Sequence, residues 1–259
     1  MINLLKADFY KLLKTKMGYI LLIVCAALSL LMLGIYGLAK YVSLSVDDMP
    51  LVIAGRAIMF SSFSLSSNIG IIIPIFVGIF TLTDIRHGTI RNKILFGESR
   101  TKIYLSHLIV SITLSLVAAI LSFIILAIGS LILFGYGAPF EGEEIANFFR
   151  CLIIGILSFI YVATISTFFA LITKSTPMTV LLTLAVTLGL PIIISLFALV
   201  QVESYKYIFY LIPSFASSVV SNGGEISVEI FIYGLCSLIF FSALNIFLGI
   251  ILFKKIDIK

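Results

Sequence analysis

The sequence predicts an all-α, polytopic membrane protein, and three observations predict it. Hydrophobic residues make up 61% of the 259 and charged residues only 11%, with a mean hydropathy of +1.24. A soluble domain is roughly a quarter charged, so this chain lacks the polar side chains to cover a water-facing surface. Uncharged stretches of spanning length recur along it, and none alternates apolar and polar residues as a barrel strand does. Lys and Arg gather in every second connection between those stretches. An ordinary cytosolic enzyme, a nucleic-acid-binding domain and a disordered chain are excluded. The net charge of +5 is a topological signal, not a nucleic-acid footprint.

Taken in order, residues 1–16 form a basic amphipathic arm. Leu5, Phe9, Leu12 and Leu13 fall on one helical face, with Lys6, Asp8, Lys11 and Lys14 elsewhere. Such a helix lies in the membrane interface, its apolar face in lipid and its lysines near anionic headgroups. A crossing takes about 20 apolar residues, and six stretches qualify: 17–39, 57–83, 103–134, 151–173, 175–202 and 230–253. The first follows a charged arm, is long and lacks a small-residue cleavage site, so it reads as a retained span and not a signal peptide. In the second, Ser61, Ser62, Ser64, Ser66 and Ser67 give the start a polar face, suited to lining a cleft or to close helix packing. Pro74 in that span and Pro191 in the fifth are kink sites. Asn68 and Asn245 read as interhelical hydrogen-bonding residues, and Cys25, Cys151 and Cys236 as small apolar core residues. Segment 203–229 contains a further uncharged stretch broken by Pro213, Ser217, Ser218 and Asn222-Gly223-Gly224. It reads as interfacial or re-entrant helix on the outer face. The whole of 1–259 is then one transmembrane domain.

Orientation follows from the basic residues. Lys6, Lys11, Lys14 and Lys16, then Arg86, Arg91, Lys93, Arg100 and Lys102, then Lys174, and finally Lys254, Lys255 and Lys259 fall on one side. The other side keeps only Lys40, Arg56, Arg150 and Lys206, beside Asp47, Asp48, Glu141, Glu143, Glu144, Glu203, Glu225 and Glu229. By the positive-inside rule the first side is cytoplasmic and holds both termini, in agreement with an even number of spans.

The loop 84–102 is the most informative segment. Gly88 and Thr89 open a short helix, Ile90, Ile94 and Leu95 share one of its faces, and Arg91 and Lys93 lie off that face. Gly97 ends it and Ser99 caps the next span. The order of basic arm, span, Asp84 four residues before Gly88-Thr89, the Arg91/Lys93 stretch and then Ser99-Arg100 resembles the membrane subunit of type-two ABC exporters. The closest likeness is to Gram-positive permeases of peptide-antibiotic immunity, bacitracin resistance or peptide export. Gly97-Glu98 departs from it, since many relatives carry a proline there.

The resemblance implies roles. Residues 1–16 are the elbow helix. Asp84, Gly88, Thr89, Ile90, Arg91, Lys93, Ile94, Leu95, Ser99 and Arg100 form the coupling segment, seated in a cleft of a separate ATPase. Lys174 and Ser175 make a second cytoplasmic contact, with Pro177 in the first turn of span five. Two copies of the ATPase and a second permease, identical or related, complete the assembly, in a bacterial plasma membrane. The cargo is a peptide, an antibiotic or a lipid-like molecule moved outward.

The chemistry that is missing agrees. No G-x-x-x-x-G-K-[ST] loop, H-E-x-x-H or G-x-S-x-G occurs, so ATP and Mg²⁺ belong on a partner, this chain holds no cofactor, and it is not an enzyme. No acidic or basic residue falls well inside a span; Asp84 and Arg150 sit at the edges. His87 reads as an interface residue. A channel or secondary carrier working without ATP, or a membrane sensor or scaffold, remains the alternative.

Overall fold

A computed structural model describes residues 1–45, 54–137, 141–189, 192–193, 212–221 and 226–255. Asp47, Asp48, Pro191, Glu203, Lys206, Asn222, Gly223, Gly224, Glu225, Asp257 and Lys259 lie outside these residues, as does most of the later part of span five. The described residues form helices and connections, with no strand among them. In chain order the helices are α1 (Ile2–Lys14), α2 (Lys16–Ser45), α3 (Gly55–Ser61), α4 (Asn68–Arg86) and α5 (Thr89–Leu95). Then follow α6 (Arg100–Phe134), α7 (Gly142–Thr173), α8 (Thr176–Leu184, continued by the wider turn Ala185–Gly189), α9 (Pro213–Ser221) and α10 (Val228–Lys255). Five of them, α2, α4, α6, α7 and α10, are long and apolar enough to cross a membrane.

Span two departs from the uninterrupted helix expected over 57–83. The chain makes α3, turns through Ser62–Ser67 and restarts as α4. The serines explain the break, because their hydroxyls offer the backbone partners that compete with helix continuation. Ser61 and Ser62 donate to the carbonyls of Ile58 and Met59, at 2.6 and 2.9 Å. The Ser64 and Ser66 hydroxyls lie 2.7 Å apart, and Ser67 caps α4 by accepting from the Gly70 amide. Ser61, Ser62, Ser64, Ser66 and Ser67 line a cavity of about 250 Å³ that also touches Ser29, Tyr36 and Asn68.

Phe60 and Phe63 anchor this break to the bundle. Their rings meet Phe123 of α6 and Phe148 and Phe159 of α7, and Phe63 stacks on Phe123 at 4.9 Å. Gly155 makes room, since a Cβ there would fall 2.3 Å from the Phe63 ring. The helices α4 and α7 are the interior pair, with 56% and 61% of their apolar windows buried, against 22%, 28% and 17% for α2, α6 and α10. The outer three turn bare leucines, isoleucines and phenylalanines outward, among them Leu38, Ile132 and Phe247. That is the side-chain chemistry of a lipid-facing surface. Cys25 and Cys151 are buried as expected, whereas Cys236 is exposed on α10. Asn68 and Asn245 make no interhelical side-chain hydrogen bond among the described residues. Asn147 of α7 instead ties a helix to a connection, its Oδ1 accepting from the amide of Ile226, two residues before α10, at 2.9 Å.

The two ends of the bundle differ. At one end Leu4 of α1, Ile90 of α5, Ile103, Tyr104 and Leu108 of α6, Leu171 of α7 and Phe253 of α10 share one buried cluster. The start of the chain, the α4–α6 loop, the end of α7 and the end of α10 therefore converge. At the opposite end Arg56 pairs with Glu144 at 3.1 Å, the Tyr136 hydroxyl donates to Glu144 at 2.8 Å, and Arg150 donates to the Ile226 carbonyl at 3.0 Å. Burial, then the adjoining Glu144 carboxylate, pushes the Tyr136 phenol well above its ordinary pKa.

Candidate functional site

At the first of these ends four elements exchange charges. Asp84, in the last turn of α4, is only 3% exposed. Its carboxylate accepts from Lys11 of α1 at 2.5 Å and from Lys93 of α5 at 3.2 Å. Lys93 also donates to Asp8 of α1 at 2.7 Å, and the other Asp8 oxygen accepts from the Ser106 hydroxyl of α6 at 2.6 Å. Lys11 lies over the Phe80 ring at 4.7 Å. His107 of α6, with no exposed surface, has Nε2 at 3.2 Å from Asp84 Oδ2. The distance suits a hydrogen bond but the alignment does not: neither ring nitrogen has a hydrogen-bond partner.

These residues correct two expectations. Ionisable groups are buried after all, because Asp84 at the edge of its span is covered by α1, α5 and α6. The arm also turns inward a stripe that the sequence reading did not single out, sharing only Leu12 with the Leu5, Phe9, Leu12 and Leu13 face expected in lipid. Leu4, Asp8 and Leu12 point inward, while Leu13 is 62% exposed. Asp8 falls on the Leu4–Leu12 stripe at helical spacing, and that was the available signal. It is buried because Lys93 and Ser106 neutralise and bind it there. Two carboxylates and two ammonium groups then balance around a dry centre.

The loop 84–102 takes up its geometry locally. Gly88 has φ +66°, the left-handed region that a side chain resists, and so turns the chain sharply out of α4. The Thr89 hydroxyl donates back to the Asp84 carbonyl at 3.0 Å. At the other end the Glu98 amide donates to the Lys93 carbonyl and the Gly97 amide to that of Ile94, with Gly97 at φ +85°. This is a Schellman closure, and it works without the proline of the resembled permeases. Ser99 caps α6 as expected, accepting from the Lys102 amide. Arg100 donates to the Lys254 carbonyl at 2.9 Å and so ties α6 to the end of α10.

The outward face of α5 is not the one expected. Ile90 is 1% exposed and belongs to the buried cluster, and Ile94 is half-buried against that cluster. Leu95 is 74% and Phe96 88% exposed, beside exposed Arg91 and Asn92. Phe96, absent from the expected set, is the most protruding apolar side chain of the segment. His87 is exposed at the end of α4. Lys174 and Ser175 lie on the turn from α7 into α8, at the same end of the bundle. Lys174 takes a left-handed conformation, φ 53°, which closes α7. Ser175 precedes α8 without capping it by its side chain; its carbonyl instead accepts from the Thr179 hydroxyl at 2.8 Å.

Lys93 joins α5 to both α1 and α4, and Asp8 joins α1 to α6 through Ser106, so the helix before the protruding tip is tied by charged contacts to its neighbours. Among the described residues, no group of three or more His, Cys, Asp or Glu side chains is placed to hold a metal ion. Comparison of the chain with protein-family models and with curated proteins finds no match.

Proposed function

We propose that the chain is the permease subunit of an ATP-driven exporter of the second ABC type. The observation that carries the reading is the Leu95–Phe96 tip, bare and apolar, on a short helix clamped through Lys93 to two buried carboxylates. An exposed apolar knob on a stiff mount suits a partner's cleft, and a stiff mount passes a displacement on to the spans. In this reading α1 is the elbow helix and α5 the coupling helix. ATP and Mg²⁺ bind two copies of a partner ATPase, and a second permease, identical or related, completes the cargo path.

A sixth crossing is supported by parity. Helix α7 ends at the charged end, beside Leu171, and α10 starts at the opposite end, beside Ile226. Helix α8, with its nine apolar and hydroxyl-bearing residues, and the following turn lead away from the charged end. Helix α9 is then the re-entrant segment. The Ser214 hydroxyl donates to the Thr187 carbonyl at 2.7 Å, and Ala216 faces Gly234 of α10. The basic end is cytoplasmic, with both termini, in a bacterial plasma membrane. An amphipathic cargo, a peptide, antibiotic or lipid-like molecule, leaves outward when ATP binding favours one arrangement of the helices over the other.

Co-purification tests this. The tagged chain, taken from its own membrane, is expected to bring a nucleotide-binding subunit with it. Leu95→Asp with Phe96→Asp should cut that recovery by roughly tenfold or more, with the chain still inserted. Recovery of the chain alone contradicts the reading. Ile90→Asp is no test of docking, since Ile90 faces inward and its charge would disrupt the bundle end. One observation favours a second reading, an ion-coupled carrier: Asp84 and His107 are buried together at the mouth of α4 and α6. Cargo uptake into ATP-free vesicles under a pH gradient would support it.

A further inference from the structure

The cavity beside the α3–α4 turn is biased toward accepting hydrogen bonds. A break inside an apolar stretch survives only where protein or a wet space receives the freed backbone. This one opens on about 250 Å³ between α2, α3, α4, α6 and α9, room for roughly eight waters at about 30 Å³ each. Seven serines line it, yet few of their protons reach it. Ser29, Ser61, Ser62, Ser67 and Ser221 each donate to a carbonyl three or four residues back in the chain, those of Cys25, Ile58, Met59, Ser64 and Ser218. Ser64 and Ser66 share one hydrogen bond between their hydroxyls at 2.7 Å. The five spent hydroxyls keep only lone pairs to offer. Among the described residues the donors left for the cavity are one proton of the Ser64–Ser66 pair, the Tyr36 hydroxyl and the Asn68 amide.

That bias selects the ligand. Among the described residues no Lys, Arg, Asp or Glu lines the cavity, so an anion has no cation to meet and a divalent metal no carboxylate. A sugar or other polyol needs donors as well as acceptors from its site, and donors are scarce here. A primary ammonium needs acceptors alone, and neutral oxygens replace its water shell as they do for an ion in a selectivity filter. The apolar part of the lining, Leu28, Met32, Ile69 and Leu126, is surface that a bare alkali cation leaves uncovered and an alkyl stem covers. We propose that this cavity binds a primary ammonium group carried on a short alkyl stem, the ammonium among the serine oxygens and the stem on the leucines, Ile69 and Met32. The proposal deepens the exporter reading, because it names a group that the cargo carries. Binding itself needs no ATPase, so the two fail separately.

Protection of an introduced thiol tests it, in membranes that hold the full chain. Ser66 lines the cavity and is exposed, so Ser66→Cys on a Cys236→Ser background is the reporter, modified by a small methanethiosulfonate reagent. Glu143→Cys on the same background reports any effect on the membrane as a whole. Hexylammonium is expected to slow modification of Ser66→Cys and not of Glu143→Cys. Hexyltrimethylammonium, which keeps the charge without the N–H donors, should not protect at the same concentration, nor should hexanol, hexanoate or sodium chloride. Ser29→Ala with Ser61→Ala removes two acceptors and should raise the half-protecting concentration of hexylammonium by roughly tenfold or more. Equal protection by hexyltrimethylammonium, hexanol or sodium chloride overturns the proposal, as does no protection by hexylammonium, or protection indifferent to the two serine changes. The comparison among probes uses the chain with those two serines intact, so it decides the matter even where the double change fails to insert.

Discussion

Lys93 is the residue on which the charged end turns. Its ammonium sits between Asp8 and Asp84, each 4% exposed or less at its side chain, and no water-facing group can take its place. Removing Lys93 leaves Asp8 with only the Ser106 hydroxyl and Asp84 with only Lys11 as an ammonium partner, and breaking a buried ion pair in this way is strongly destabilising. Lys93→Met is therefore expected to lower the thermal unfolding temperature in detergent sharply. Phe96→Ala, at a side chain that touches little, should leave it unchanged. Asp8→Asn combined with Lys93→Gln should lose less than the sum of the two single changes, because the pair is one interaction. A strictly additive double change would show that the two residues act apart. None of this was legible along the chain, since Asp8 and Lys93 are 85 positions apart and only the folded arm brings them together. The spacing of Leu4, Asp8 and Leu12 held the hint, but a lone aspartate on a basic arm reads as exposed until its partner is known.

At the scale of elements, hydropathy located the long helices well, because crossing a bilayer demands length and apolar composition, and both are local properties. The expected helix starts at Ser99 and ends at Gly97 also hold, since capping is local chemistry. The break between α3 and α4 was hidden for the opposite reason. Serine is compatible with a membrane helix on average, and what ended this one was several neighbouring hydroxyls bonding their own backbone. The break holds because Phe63 enters the space over Gly155. Gly155→Leu is expected to force that ring out of its stack with Phe123 and to destabilise the bundle by about 1–3 kcal/mol. Gly142→Ala, with open space around it, serves as the neutral comparison. Equal melting of the two variants would mean that the aromatic anchor contributes nothing. The orientation of α5 was likewise beyond its seven residues. Periodicity grouped Ile90, Ile94 and Leu95, but which of them faced inward depended on Leu4, Tyr104 and Phe253 from three other helices.

For the whole molecule, the charge asymmetry and the folded ends tell the same story. The loops rich in Lys and Arg converge on one end, and Glu141, Glu143 and Glu144 lie at the other, at the start of α7. Labelling from outside the cell with an impermeant maleimide, on a Cys236→Ser background, should mark Glu143→Cys and spare Phe96→Cys until the membrane is opened. Labelling of both from one side would overturn the arrangement. In the proposed reading this asymmetric bundle, cross-linked by ion pairs at its basic end and lined with serine near the α3–α4 turn, is a gate moved by a partner. The most direct measurement places a photo-crosslinking amino acid at position 96 and irradiates the native membrane. The account predicts an adduct with a nucleotide-binding subunit, formed in wild-type surroundings and lost with Leu95→Asp. Adducts with lipid alone would contradict it.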